Sequence, residues 1–299
     1  MTMSVETGVS THRSGVSPIQ LRLMEARADI DCSAPSHIAF QHSALCQLGL
    51  PRRDTSKATF ERRCGAASIF IQAGALWSGS TWEPQRLPYG GRARLVLIHI
   101  CSRAIVTRSQ TVEVGATLRE FLTRLSIDPC GIEYRRVWAQ IKALAACTIR
   151  IGFGDGLAAP ATTLDARPFA AWEDIGSRWP GIITLTKDFY IGLLDHGVPL
   201  NPRALAALRH SALALDVYTW AAHRLHRLDR PLRLGWPVLQ GQFGGEYRSA
   251  RDFRREFLRA LAQVRDAYPA AQIQQPPRGG LLLLPSPPPI TRREVSACG

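Results

Sequence analysis

The segment Ser249–Tyr268, SARDFRREFLRALAQVRDAY, constrains the fold more than any other stretch of the chain. At 100° per residue, Phe253, Phe257, Ala260, Leu261, Val264 and Tyr268 fall within roughly 100° of one another. Arg248, just ahead of it, and Arg251, Arg255 and Arg259 fall within roughly 80° on the opposite side. Arg254 and Arg265 lie on a flank. This pattern predicts a helix with one face on a core and the other presented outward, capped by Ser249 and stopped by Pro269. A solvated helix face ordinarily mixes signs. Here the acids Asp252, Glu256 and Asp266 are read as lying off the stripe, with Asp252–Arg255 and Glu256–Arg259 close enough to pair locally. The planar fork of arginine suits phosphates and the acceptors of guanine. Arg248, Arg251, Arg254, Arg255 and Arg259 are therefore the candidate DNA contacts.

The order of elements around this helix narrows the fold class. Asn201-Pro202 is an N-cap with proline at the first helical position, and Ser211 caps a helix, ALALDVYTWAAHRLHRL. A strand-like PLRLGW, a short helix near Val238 to Phe243 and a Gly244-Gly245 turn lead into the long helix. Two strands follow, Ala271 to Gln275 and Leu281 to Leu284, joined by PPRGG. Helix, short strand, helix, helix and hairpin is the order of a winged helix, whose third helix enters the major groove.

The first half repeats the order. A helix from Arg92 to Ile105 follows the PYGG turn, and a strand, Thr111 to Val114, comes next. Thr117-Leu-Arg-Glu120 is a capping box opening a helix to Leu125, ahead of a third helix near Glu133 to Ala146. Strands Thr148 to Phe153 and Ile182 to Leu185 close the unit. In the third helix, Tyr134, Arg135, Arg136 and Lys142 are candidates to face DNA, while Val137, Trp138, Ile141 and Leu144 have core spacing. That unit either touches DNA or supplies a dimerisation surface.

The expected fold is thus α+β, two tandem winged-helix domains, mainly helical with short β-hairpin wings. Residues 1–56 read as a leader, disordered or weakly helical, the first 35 being polar and Ser/Thr-rich. Residues 57–198 form the first winged-helix-like domain, beginning with a strand, glycine turn and strand from Thr59 to Leu76. Residues 199–286 form the second, with the arginine-rich recognition helix, and 287–299 read as a disordered Pro-rich tail.

Charge points the same way. The formal net charge of the 299 residues is +13, and all but three of the 37 basic residues are arginine. A GC-rich genome explains the choice of arginine over lysine but not the excess of positive charge, which implies a polyanionic partner. From Arg203 to Arg265 twelve arginines face five acids, so the excess is concentrated in the second half.

Other chemistries find no anchor. The seven cysteines are irregularly spaced without a CxxC pair, which excludes a zinc ribbon or thioredoxin-type motif and predicts reduced thiols. His223 and His226 share a helix face, but Arg224 and Arg227 oppose a cation between them. The glycines of IGFGDG from Ile151 read as a hairpin tip rather than a dinucleotide loop. No phosphate-binding loop, nucleophile elbow or HExxH helix occurs, so no catalytic residue, metal or cofactor is expected. No apolar run reaches the ~18–20 residues of a membrane span, and no signal peptide is visible, so the expected compartment is the cytoplasm.

Four stretches carry a resemblance: RLPYGGRARLVLIHICSRAI from Arg86, VGATLREFLTRLSI from Val114, ITLTKDFYIGLLDHGVPLNPRALAALRHSALALDVYTWAAHRL from Ile183, and QGQFGGEYRSARDFRREFLRALAQV from Gln240. With these the chain resembles the plasmid-encoded RepA replication proteins and, more distantly in architecture, the paired winged-helix plasmid initiators. The resemblance implies a plasmid replication initiator that binds double-stranded origin DNA as monomer or homodimer. It would leave duplex opening to the host initiator and replicative helicase. Two rivals remain: a DNA-binding transcriptional repressor or copy-number regulator, and a nicking or priming enzyme, which would show metal-dependent chemistry on origin DNA.

Overall fold

Side chains just ahead of the helices decide where several of them begin. Thr117, Ser211 and Ser249 each accept a bond from the backbone N–H three residues on, and Asn201 accepts from Arg203 N–H. The computed structural model describes residues 17–154, 162–172, 182–277, 279–291 and 294. Its first part contains α1 (Pro18–Cys32), β1 (Ala39–His42), α2 (Ser43–Leu48), β2 (Thr59–Cys64), β3 (Ala67–Gln72), β4 (Ala75–Trp77) and β5 (Trp82–Pro84). Then come α3 (Gly90–Thr107), β6 (Thr111–Glu113), α4 (Leu118–Arg124), α5 (Gly131–Ala146), β7 (Thr148–Phe153), β8 (Thr162–Asp165), β9 (Phe169–Trp172) and β10 (Ile182–Leu185). The remainder holds α6 (Lys187–His196), β11 (Gly197–Leu200), α7 (Pro202–Leu208), α8 (Ala212–Arg224), β12 (Leu232–Leu234), α9 (Trp236–Phe243), α10 (Ala250–Ala267), β13 (Ile273–Gln274) and β14 (Leu281–Leu283).

Two small antiparallel sheets share one strand order. In the first half the order is β6-β10-β9, and in the second β12-β14-β13. In each, the strand after the leading helix pairs with the last strand, which also pairs with its predecessor. The helices fall in matching places, α3, α4 and α5 in one half and α8, α9 and α10 in the other.

Three features depart from expectation. The polar leader was expected to lack regular structure, yet residues 18–32 form α1. Ser17 and Gln20 make a capping box around Pro18 at the first position. Leu23 and Ala26 are buried as α1 packs on α7 and α10. Next, the hairpin β2–β3 joins β7 and β8 in a four-stranded antiparallel sheet, β2-β3-β7-β8, through the register Ile69↔Ile151 and Ile71↔Ile149. Strand β7, expected to close the first unit with β10, belongs to this sheet instead, and β10 pairs with β6 and β9, so β7 and β8 stand between the third helix and the strands that close the unit. The tip of the β7–β8 hairpin, in the IGFGDG turn, lies outside the described residues. Finally, the proline-rich end carries no regular element through residue 291, but it is anchored. Tyr268 donates its hydroxyl proton to the Pro287 carbonyl, and Ile290 is buried against Ile38 and Phe40.

The core runs through the expected division at 198/199 without a break, from Leu23 to Leu283. That division falls inside β11, which pairs with β1 of the leader (Ala39↔Leu200). Gly91, in the first turn of α3, lies so close to the other half that a Cβ there would meet the Arg209 carbonyl oxygen at 2.8 Å. No helix among the described residues is long and apolar enough to cross a membrane.

Candidate nucleic-acid interface

Burial separates the two faces of α10 as the periodicity predicts. Phe253, Phe257, Ala260, Leu261, Val264 and Tyr268 are all buried. Trp236, the first residue of α9, meets Phe253 and Phe257 edge-on at 6.4 and 6.0 Å, and Tyr218 of α8 meets Tyr268 at 6.1 Å. These contacts fix the rotation of the helix about its axis, so the opposite face must point outward. Arg248, Arg251, Arg254, Arg255 and Arg259 are all exposed there.

The five arginines are not equivalent. Arg255 lies 3.0 Å from Asp252 and 3.2 Å from Glu256, and Arg259 lies 3.1 Å from Glu256. The guanidinium of Arg254 sits over the Trp236 ring at 4.7 Å, which fixes it on the α9 side of the stripe. Arg248 and Arg251 make no hydrogen bond or ion pair with any described residue, so their charge is available to a ligand. Asp266 is a correction to the wheel: it falls on the same line as Arg248, five turns along the helix. There it faces Arg27 of α1 at 3.7 Å, so the arginine stripe ends at Arg259. Arg265 donates to the Ile273 carbonyl, tying the last turn to β13.

The approach to α10 is held by a buried ion cluster that the sequence reading missed. Asp216, in the middle of α8, accepts from Arg94 of α3 through both carboxylate oxygens, at 2.6 and 2.8 Å. Arg52 and Arg62 lie 3.4 and 3.7 Å from the same carboxylate. Glu246, two residues before Arg248, takes the Arg62 guanidinium at 2.7 Å and the backbone N–H groups of Arg52 and Arg53. Burial pushes the Arg62 guanidinium down to about 10, helped by neighbouring Arg52. Burial alone would raise the Asp216 carboxyl, but Arg94, with Arg62 and Arg52, holds it below its ordinary value. Three cations against two carboxylates leave one positive charge at the root of the arginine-bearing helix. The signal was present in the sequence: a lone acid in ALALDVYTW and a lone arginine in ARLVLIHI, both at core positions. Neither segment names its partner.

The first-half candidates sit differently. Arg135 and Arg136 are exposed on the first turns of α5, and Arg136 pairs with Glu133 at 3.1 Å. Lys142 is half-buried and turned to Glu83 of β5 at 3.6 Å, so its charge is partly spent within the fold. Val137, Ile141 and Leu144 are buried as expected, with Tyr134 and Trp138 half-buried. Helix α5 packs on α3, α4, β4 and β9, whereas α10 packs on α8, α1, α7 and α9. The two basic faces therefore belong to separate neighbourhoods. Among the described residues no group of histidine, cysteine and carboxylate side chains has the arrangement of a metal site. His223 is instead engaged by the Arg227 guanidinium at 2.6 Å.

The family described as plasmid-encoded RepA protein matches residues 87–236. This stretch includes Arg94 and Asp216 and ends at the start of α9, before the arginine stripe. Two solved structures of RctB share the fold. A selenomethionine derivative of domains 2 and 3 aligns at 13% identity with a TM-score of 0.51, covering 78% of this chain and 88% of that one. RctB residues 155–483, the same two domains, align at 12% identity with a TM-score of 0.50, covering 80% and 94%. No curated protein matches the chain.

Proposed function

The chain belongs to the family of plasmid-encoded RepA proteins, and from that premise we propose that it initiates replication by binding double-stranded origin DNA sequence-specifically. In this reading each half is a winged helix. The shared strand order of the two small sheets, with three helices in matching places, supports that assignment. Helix α10 enters the major groove, and the β13–β14 hairpin lies along adjacent phosphates. Helix α5 is the counterpart of α10 in the first half, contacting a neighbouring groove through Arg135 and Arg136. Bound copies strain the duplex, and host initiator and helicase load beside them. The protein itself contributes binding energy and no catalytic step.

One observation carries the proposal: an exposed arginine face on a helix whose opposite face is locked by buried aromatics. Arg248 and Arg251 are the primary contacts because no acid among the described residues competes for them. Arg255 reaches DNA only by exchanging Asp252 and Glu256 for phosphate or base, and Arg259 only by exchanging Glu256. The test is a gel shift with the plasmid origin against random DNA of equal length, across a salt series. Origin binding should survive moderate salt where random DNA is released, and equal binding to both would sink the claim of specificity. Arg248→Ala and Arg251→Ala should each weaken origin binding by ~1–3 kcal/mol where the side chain reads a base. Where it holds a phosphate, the loss is uniform across sequences and the salt slope drops by about one.

A further inference from the structure

An open groove of ≈ 650 Å³ lies between the loop leading into β2, β2 itself, and the turn that joins α9 to α10. Strand β2 opens the first half of the chain, yet it packs on α9 of the second. Glu246 lines the groove, and Arg248 of the arginine stripe stands two residues further on. Between them, Tyr247 carries the Arg53 guanidinium over its ring at 5.6 Å. The groove therefore meets the start of α10, which is the end that a recognition helix brings to base edges.

Of the charged groups that line it, Arg62 and Glu246 cancel within the buried cluster, at 2.7 Å. Asp54 is taken by Arg86 from outside the groove. Arg53, Lys57 and Arg63 are exposed, and none makes an ion pair with a described residue. Against them stands Glu61, the one lining acid without a partner among the described residues, so the balance is positive. Thr55 and Thr59 add hydroxyls, Thr55 accepting from the Lys57 N–H. Gly241 and Gly245 also line the groove, and a Cβ at either would meet nothing within 4 Å, so another backbone can come close. Apart from Pro51 and Phe60 the lining is polar or glycine. We propose that this groove holds the sugar–phosphate backbone of the duplex beside the site read by α10, with Arg53, Lys57 and Arg63 donating to phosphates. Continuity with the arginine stripe favours DNA over an acidic peptide as the occupant.

This inference rests on the DNA-binding reading and extends its footprint to a segment of the first half. The test compares the full chain with a variant carrying Arg53→Gln, Lys57→Gln and Arg63→Gln together, on origin and random DNA across a salt series. Phosphate contacts carry no sequence information, so affinity should fall by the same factor on both DNAs, about tenfold or more at 0.1 M salt. The slope of log affinity against log salt should drop by about two to three. Glu61→Gln should do the reverse and tighten both complexes severalfold, a gain that misfolding cannot produce. Hydroxyl-radical footprinting should show protected sugars flanking the α10 site with the parent and not with the triple variant. Far-UV circular dichroism and the thermal midpoint establish that each variant is folded. Origin binding that weakens in Arg248→Ala but is unmoved by the triple substitution and by Glu61→Gln would overturn the groove and leave the DNA-binding reading standing. A parent that binds no DNA would overturn both. A triple variant that keeps full DNA affinity but loses binding of a hexaglutamate peptide would assign the groove to an acidic protein and overturn the proposal.

Discussion

The arginines of this chain do three different jobs, decided by what lies within about 4 Å of each guanidinium. Arg248 and Arg251 face solvent without an acid, Arg255 and Arg259 are tethered to carboxylates of their own helix, and Arg52, Arg62 and Arg94 are buried around Asp216 and Glu246. For the buried group the energetics are asymmetric. A buried ion pair adds little over a well-packed apolar pair, but removing one partner strands the other charge away from water. Arg94→Ala leaves Asp216 without its bidentate partner and should cost about 3–5 kcal/mol, read as a fall in the urea midpoint with an unchanged m-value. Arg94→Lys should recover only part of the loss, because a point charge cannot hold both oxygens. An unchanged midpoint in Arg94→Ala would mean that Arg52 and Arg62 suffice. Legibility at this scale splits in the same way. The exposed stripe was readable because its periodicity is local to one helix. The cluster was not, because Arg94 and Asp216 are 122 positions apart and a lone charge in an apolar segment predicts only that some partner exists.

Among the elements, capped helices and the local hairpins β2–β3 and β13–β14 were legible, and distant sheet partners were not. Caps at Thr117, Asn201, Ser211 and Ser249 are written within four residues of the helix they start. Strand pairing between residues 67–72 and 148–153 is not encoded locally at all, so the four-stranded sheet appears only once the chain is folded. Helix α1 is the instructive miss. Its Ser-Pro-Ile-Gln start is a capping signature, but a polar composition argued for disorder, and the decisive contacts of Leu23 and Ala26 are with α7 and α10, far along the chain. Helix α1 also determines where the arginine stripe ends, since Arg27 meets Asp266. Removal of residues 1–34 therefore has two expected consequences. Stability falls by about 2–4 kcal/mol from the apolar surface uncovered, measured by urea denaturation. Loss of Arg27 also leaves Asp266 unopposed on the line of the stripe, so origin affinity falls at low salt and recovers toward that of the full chain as salt screens the acid. A truncation as stable as the full chain would show that α1 adds nothing to the core.

Over the whole molecule, the two halves share one interior, and that has a consequence for acid stability. A continuous core, the β1–β11 pair and the Arg94–Asp216 bridge leave no seam along which one half can open alone. Three histidines are held in this interior as neutral groups. Burial pushes His42 down to about 4, with nearby His196 adding to the effect; His99 is held at about 4 by burial, Arg124 and Arg103, and His223 at about 4 by burial, Arg227, His226 and Arg224. His42 is also structurally committed to the neutral form, because its Nδ1 accepts the Ala44 N–H that caps α2. In the unfolded chain all three titrate near 6.5. Between pH 4 and 6.5 the unfolded state thus binds more protons than the folded one, and stability falls as pH falls through that window. The Asp216 carboxylate, held low, adds its own loss only below about pH 4. Urea midpoints should be flat from pH 8 to 7. The unfolding free energy should then decline toward pH 5 with a slope approaching roughly 4 kcal/mol per pH unit, three protons taken up per unfolding event. Because no half opens by itself, all three protons should be taken up in one transition, with tryptophan fluorescence and far-UV circular dichroism changing together. His42→Asn should reduce the slope by about a third. Separate fluorescence and dichroism transitions, or a midpoint constant down to pH 5, would mean that the halves unfold independently or that the histidines reach water in the folded state.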